Sequence, residues 1–120
     1  MKHILLVDDD EDMMKLTERW LTKADYTVST ATSGQGALDL LMRDGAGPDL
    51  ILLDYAMPEM DGPETLKAIR AQEGLREIPV LFRTGKEDED ALQLMESLHA
   101  GIVSKADGKP GLLAAIKSVL

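Results

Sequence analysis

Acidic, hydroxyl and amino side chains stand within two residues of the ends of four short apolar segments of the sequence. Three aspartates occupy positions 8–10 after the first segment, and Asp54 follows a second. Thr84 and Lys105 come after two further segments. Clustered carboxylates repel one another, and a hard, oxygen-binding cation such as Mg²⁺ relieves that repulsion. If the fold brings the ends of these segments together, the residue types indicate magnesium-assisted chemistry at a carboxylate.

A carboxylate beside Mg²⁺ can act as a nucleophile towards phosphorus and form an acyl phosphate. The metal and the ammonium of Lys105 would neutralise the oxygens of a phosphoryl group during in-line transfer, and the hydroxyl of Thr84 would bind one of them. The competing interpretation is that the acids cap the helices that follow them. For Asp10 we favour capping, but capping does not explain why two different segments both end in acids.

The segments between these residues alternate between strand-like and helix-like patterns. Apolar or alternating runs predict strands, and apolar residues at helical spacing predict helices. The predicted strands are 4–7, 26–31, 50–53, 78–82 and 101–103, and the predicted helices are 11–24, 36–42, 63–72, 88–98 and 110–120. Such an alternation predicts an α/β fold, a (βα)₅ doubly wound five-stranded parallel sheet covered on both faces. Ligands of these sheets bind at the carboxyl ends of the strands, where the polar residues stand.

The composition favours a single domain, residues 1–120, of ordinary size. The net charge of −9, from 22 acidic and 13 basic residues, disfavours direct binding to nucleic acids or anionic membranes. The absence of cysteine excludes disulfides and thiolate metal sites. The N-terminus has no apolar signal region, and no apolar run is long enough to span a membrane. We therefore expect a cytoplasmic protein.

Four blocks of the sequence, in order, resemble the response-regulator receiver family of two-component signalling systems, in particular its chemotaxis regulators. The blocks are residues 4–10, residues 54–62 with the sequence DYAMPEMDG, residues 78–85, and Lys105. The second block is the most specific, and the likeness covers essentially the whole chain. The resemblance implies a flavodoxin-like receiver fold and a signalling switch that catalyses only its own aspartyl phosphorylation and dephosphorylation.

The resemblance implies a role for each polar residue at the strand ends. Asp54 corresponds to the phosphoacceptor, Thr84 to the switch hydroxyl and Lys105 to the phosphate-binding amine. The phosphoryl donor would be a histidine kinase or a phosphotransfer protein. Phosphorylation would then reshape the face formed by the fourth helix, the fifth strand and the fifth helix.

The same resemblance implies a magnesium site. Its ligands would be the carboxylates of Asp8, Asp9 and Asp54 and the backbone carbonyl of Ala56, with Asp8 acting mainly through water. Ala56 and Lys86 occupy positions that modulate attack of water on the phosphoryl group in the family. Ala56 cannot orient a water molecule and Lys86 could shield the phosphoryl group, so we expect a long-lived phosphate.

Three residues depart from the family pattern. Ala106 follows Lys105 where a cis proline is usual, and we expect a trans bond because a cis bond before a non-proline residue costs about 2.5–4 kcal/mol. Ile102 replaces the usual Tyr or Phe of the switch, which leaves the output mechanism open. Arg83 replaces an apolar residue at the end of an inner strand, and we expect a salt bridge to an acid near the carboxyl ends of the strands.

Three other classes of function fit the sequence less well. A flavin- or nucleotide-binding module would need a Gly-, Ser- or Thr-rich loop after the first strand, where this chain has aspartates that repel phosphate. A magnesium-dependent nuclease or phosphatase would usually carry a second acid two residues after the first, and that position is Ala56. A receiver fold used only for docking would not need the intact set of acids.

Overall fold

Five parallel strands form one sheet in the computed structural model, which describes residues 1–44, 47–85, 89–98 and 100–120. The strand order is β2-β1-β3-β4-β5. The strands are β1 (His3–Val7), β2 (Thr27–Ala31), β3 (Leu50–Asp54), β4 (Val80–Thr84) and β5 (Gly101–Ser104). The helices are α1 (Glu11–Lys23), α2 (Gly34–Asp44), α3 (Gly62–Arg70), α4 (Glu89–Ser97) and α5 (Gly108–Val119). The predicted (βα)₅ fold class is confirmed.

The sheet separates two apolar cores. One core contains residues of α2 and α3, and the other contains residues of α1 and α5. Side chains alternate between these faces along each inner strand, so Leu53 contributes to the α2–α3 core and Leu52 to the α1–α5 core. The central strand β3 is buried along its whole length, which explains its continuous apolar sequence.

The register of the inner strands brings their carboxyl ends to one edge. Val7 is the partner of Leu53, Asp54 is the partner of Arg83, and Thr84 is the partner of Ser104. The residues that follow β1, β3, β4 and β5 therefore lie along the same edge, which we call the carboxyl edge.

Side-chain caps fix the starts of two helices beside this edge. The carboxylate of Asp10 accepts hydrogen bonds from the backbone of Asp12 at 3.1 Å and of Met13 at 3.2 Å, so its predicted capping role is confirmed. At the start of α3, Asp61 and Glu64 form a reciprocal capping box. These caps hold the loop after β1 at the start of α1 and the loop after β3 at the start of α3.

Each predicted element differs from the structure by one or two residues at one end or both, and two of these shifts have a structural reason. β4 begins at Val80 and continues through Arg83 to Thr84, because β3 and β5 both pair with its last residues. α5 begins at Gly108, so Pro110 lies within its first turn, where the missing N–H of proline costs no helical hydrogen bond. Among the described helices, none is both long and apolar enough to cross a membrane.

Candidate functional site

The carboxylates of Asp8, Asp9 and Asp54 come together at the carboxyl edge. One oxygen of each lies within 4.8 Å of an oxygen of the others. β1 and β3 are neighbours in the sheet, and their pairing at Val7 and Leu53 carries the next residues, Asp8 and Asp54, to the same place. Three carboxylates this close repel one another, and a bound cation would offset that repulsion.

Asp8 has one satisfied and one unsatisfied oxygen. It is 1% exposed, and Oδ1 accepts a hydrogen bond from the backbone of Asp10 at 2.9 Å. Oδ2 is buried and has no hydrogen-bond partner in the described part of the chain. An orphaned carboxylate oxygen is costly in a protein interior. Together with Asp9 and Asp54 it forms an all-oxygen donor set, which suits a hard divalent cation such as Mg²⁺.

Asp54 combines burial with a direct contact to Lys105. Its carboxylate is almost completely buried, and Oδ1 lies 3.0 Å from Nζ of Lys105. Burial raises the pKa of Asp54 from 3.8 to about 6, and the negative charges of Asp8 and Asp9 act in the same direction, whereas Lys105 opposes the rise. Asp54 is therefore largely ionised at neutral pH and carries a charge that the fold disfavours.

Thr84 and Lys105 lie at the ends of neighbouring strands, on the same edge of the sheet as the acids. Thr84 is the last residue of β4 and is buried, with Ser104 as its partner on β5. Lys105 follows Ser104 directly and begins a short 3₁₀ turn, with its side chain half-buried. A hydroxyl, an ammonium and three carboxylates thus come from four different strand ends to one edge of the sheet.

The loop after β3 folds back onto the strand end. The backbone N–H of Gly62 donates to the carbonyl of Tyr55 at 2.8 Å. A Cβ on Gly62 would lie 2.7 Å from the carbonyl oxygen of Asp54, so only glycine permits this approach. Ala56 lies in the loop and is exposed. Its role as a carbonyl ligand stays a prediction, and Lys86 lies outside the described residues.

Two departures from the family pattern have a clear structural setting. The bond between Lys105 and Ala106 is trans as expected, and the backbone N–H of Ala106 donates to Oγ of Ser104 at 3.1 Å. Ile102 is partly buried and packs against the α2–α3 core. These contacts keep the Lys105 turn and the end of β5 in place without the proline and the aromatic ring that are usual in the family.

The expected salt bridge of Arg83 is wrong. Arg83 is 3% exposed, and its Nη1 donates a 2.6 Å hydrogen bond to Oγ1 of Thr17, while the guanidinium carbon lies 6.0 Å from the centre of the Trp20 ring. Within the described residues, no carboxylate forms a salt bridge with it. The side chain of Arg83 lies on the face of the sheet that α1 covers, and it therefore contacts Thr17 and Trp20 of that helix. Thr17 and Trp20 are three residues apart and so lie on one face of α1; this spacing was the signal in the sequence that could have indicated the contact with Arg83.

Comparisons with known proteins agree with this geometry. The family model described as "Response regulator receiver domain" matches residues 4–117. The response regulator PleD of Caulobacter vibrioides is 38% identical over 97% of this chain, but the chain spans only 25% of PleD. The chemotaxis protein CheY4 of Vibrio cholerae superposes with a TM-score of 0.92 at 31% identity, covering 100% of this chain and 99% of CheY4. The phosphorylated cyanobacterial phytochrome response regulator RcpA superposes with a TM-score of 0.83 at 28% identity, covering 98% of this chain and 90% of RcpA.

Proposed function

The chain belongs to the response regulator receiver family, and we propose that it is a signalling switch that accepts a phosphoryl group on Asp54 in a Mg²⁺-dependent reaction. One observation carries the proposal: Asp54 lies in a cluster with Asp8 and Asp9, and Lys105 contacts it at 3.0 Å. A nucleophile, metal-binding acids and a cation for the phosphoryl oxygens are thereby adjacent.

In the proposed reaction, a carboxylate oxygen of Asp54 attacks phosphorus while the bond from phosphorus to the donor breaks. Asp54 must be ionised for this step, and its raised pKa of about 6 still leaves the anion dominant at neutral pH. The ammonium of Lys105 then transfers its hydrogen bond from Asp54 to an oxygen of the incoming group. The hydroxyl of Thr84 binds another of these oxygens.

Mg²⁺ would be held by the carboxylates of Asp9 and Asp54 and the carbonyl of Ala56, with Asp8 acting mainly through water. When bound, the ion offsets the negative charge shared by the carboxylates and the phosphoryl oxygens. Asp8 supports this assignment because its buried Oδ2 has no hydrogen-bond partner among the residues that the structure describes and can accept from a metal-bound water.

The proposal includes a phosphoryl donor and an output. The donor is a histidine kinase or a phosphotransfer protein, and the output is a change in the face formed by α4, β5 and α5. The net charge of −9 supports a role without direct nucleic-acid binding. The predicted cytoplasmic location and the limits of the domain, residues 1–120, stay predictions.

Incubation with acetyl phosphate, followed by intact-mass measurement, tests the proposal. The wild type should gain one phosphoryl group with Mg²⁺ and none after the metal is chelated. Asp54→Asn should gain none. Asp10→Asn is the matched control, because asparagine retains the helix cap and the change removes one carboxylate near the site; it should still be labelled. A gain that persists in Asp54→Asn, or that is independent of Mg²⁺, contradicts the proposal.

A further inference from the structure

Arg83 is a buried cation on the same face of the sheet as the acidic cluster. Side chains two residues apart in a strand point to the same face. Arg83 comes two residues after Leu81, Asp54 two residues after Leu52, and Asp8 two residues after Leu6. All three leucines belong to the α1–α5 core. Arg83 is also the partner of Asp54 in the register of β3 and β4.

The contacts of Arg83 fix the position of its charge. The hydrogen bond to Thr17 and the ring of Trp20 both come from α1, and Thr17 is completely buried. An arginine stays protonated in a protein interior. Burial lowers the pKa of Arg83, and the negative charges of Asp8 and Asp54 oppose this change by stabilising the cation.

In the part of the chain that the structure describes, Arg83 nevertheless forms no salt bridge with an acid of the cluster. Oδ2 of Asp8 has no hydrogen-bond partner among the described residues, although a guanidinium carries five N–H donors. The contact with Thr17 therefore holds the guanidinium on the α1 side of the cluster. The charge of Arg83 acts on the acids through space, and the place for a cation between them stays available.

We propose that Arg83 acts as a fixed internal counter-cation. It stabilises the acidic cluster when no metal is bound, and it lowers the affinity of the cluster for Mg²⁺. This inference rests on the proposed function, because it concerns the same magnesium site. A positive charge beneath the site repels a divalent cation and partly offsets the repulsion between the acids. The domain would then load with Mg²⁺ only at higher concentrations of the ion than a receiver with an apolar residue at this position.

Calorimetric titration with MgCl₂ tests the charge of Arg83. Replacement by leucine should tighten Mg²⁺ binding about tenfold, since it removes a buried positive charge beside Asp54, and charges interact strongly in a protein interior. Arg83→Lys retains the charge and should bind Mg²⁺ with a Kd close to that of the wild type. The matched control is Arg70→Leu, which removes a part-buried arginine of α3 that hydrogen-bonds the carbonyl of Ile78 at 2.7 Å. It alters the net charge equally and should leave the Kd within about twofold.

Thermal unfolding provides a second readout. Without metal, Arg83→Leu should unfold at a lower temperature than the wild type, and saturating MgCl₂ should recover more of its stability than it adds to the wild type. If the leucine variant does not fold, Arg83→Met tests the same claim with an unbranched side chain that fills irregular space.

The outcomes separate the inference from the proposed function. An unchanged Kd in Arg83→Leu overturns the inference, and so does equal tightening in the leucine and lysine variants, because packing rather than charge would then be responsible. If the wild type itself does not bind Mg²⁺, or binds it with the same Kd after Asp9→Ala, the proposed metal site fails. Tightening in Arg83→Leu alone supports the inference.

Discussion

At the scale of single residues, burial and charge act on Asp54 in opposite directions. Burial raises its pKa to about 6, and Lys105 at 3.0 Å only partly offsets this rise. The unfolded chain has the ordinary value of 3.8, so the folded chain binds this proton more tightly. The resulting contribution to stability is complete below about pH 4 and is lost as the pH rises through about 6. At neutral pH, the ionised side chain of Asp54 therefore lowers the free energy of unfolding.

Asp54→Asn should stabilise the metal-free domain at neutral pH, because asparagine carries no charge to be buried. From the pKa shift we expect a gain of about 1–3 kcal/mol in the free energy of unfolding at pH 7. Urea denaturation at pH 7 and pH 4 measures it. The gain should vanish at pH 4, where the wild-type carboxyl is already protonated in the folded state. A gain that is equal at both pH values would exclude ionisation as its cause.

The lifetime of the aspartyl phosphate should depend on the side chain at position 56. Ala56 is exposed in the loop beside Asp54 and offers no hydrogen bond to orient an attacking water. We therefore expect the wild type to lose its phosphoryl group more slowly than Ala56→Asn, measured as decay of the phosphorylated mass after removal of acetyl phosphate. Ala56→Val is the control, since valine also lacks a polar group. Equal or faster loss from the wild type would count against this role.

At the scale of elements, the contact between β4 and α1 is the least predictable part of the site. The periodicity of the sequence predicted each strand and α-helix that the structure describes, because continuous apolar runs and helical spacing are local signals. The partner of Arg83 depends on a contact across 66 residues of the chain. The sequence indicated that the arginine needed a partner, but only the packing of α1 on the sheet decides between a carboxylate and the hydroxyl of Thr17.

Replacement of Thr17 by valine should destabilise the domain. Valine has nearly the same shape but leaves a buried guanidinium N–H without its acceptor, which costs about 1.5–3 kcal/mol. Chemical denaturation measures the loss. Thr17→Ser is the control, because serine keeps the hydroxyl that accepts from Arg83, and it should lose less. If valine and serine destabilise equally, the hydrogen bond contributes little and the methyl group of Thr17 matters instead.

At the scale of the whole molecule, the parallel sheet explains why the site could be predicted from the sequence. Parallel strands with helical connections all end at one edge, so residues far apart in the chain meet there. The position of Asp8, Asp9, Asp54 and Lys105 follows from this rule. The rule does not predict side-chain contacts. The contact of Lys105 with Asp54, and the lack of a partner for Oδ2 of Asp8 among the described residues, were therefore found only in the structure.

Metal binding should stabilise the entire fold because the acids repel one another without it. MgCl₂ should raise the unfolding temperature of the wild type in proportion to the logarithm of its concentration above Kd. Asp9→Ala and Asp54→Ala should abolish most of this dependence. A similar change at an acid outside the cluster, Asp39→Ala on α2, should preserve it. An unchanged response in the Asp9 and Asp54 variants would refute their assignment as ligands.

The most direct test of the central claim is to locate the acyl phosphate on the wild-type chain. Sodium borohydride reduces an aspartyl phosphate to homoserine and leaves free carboxylates intact. After reaction with acetyl phosphate and Mg²⁺, reduction and peptide mapping should place homoserine at position 54, within the peptide that follows β3. Homoserine at Asp8, Asp9 or Asp10, with position 54 still an aspartate, would contradict the account.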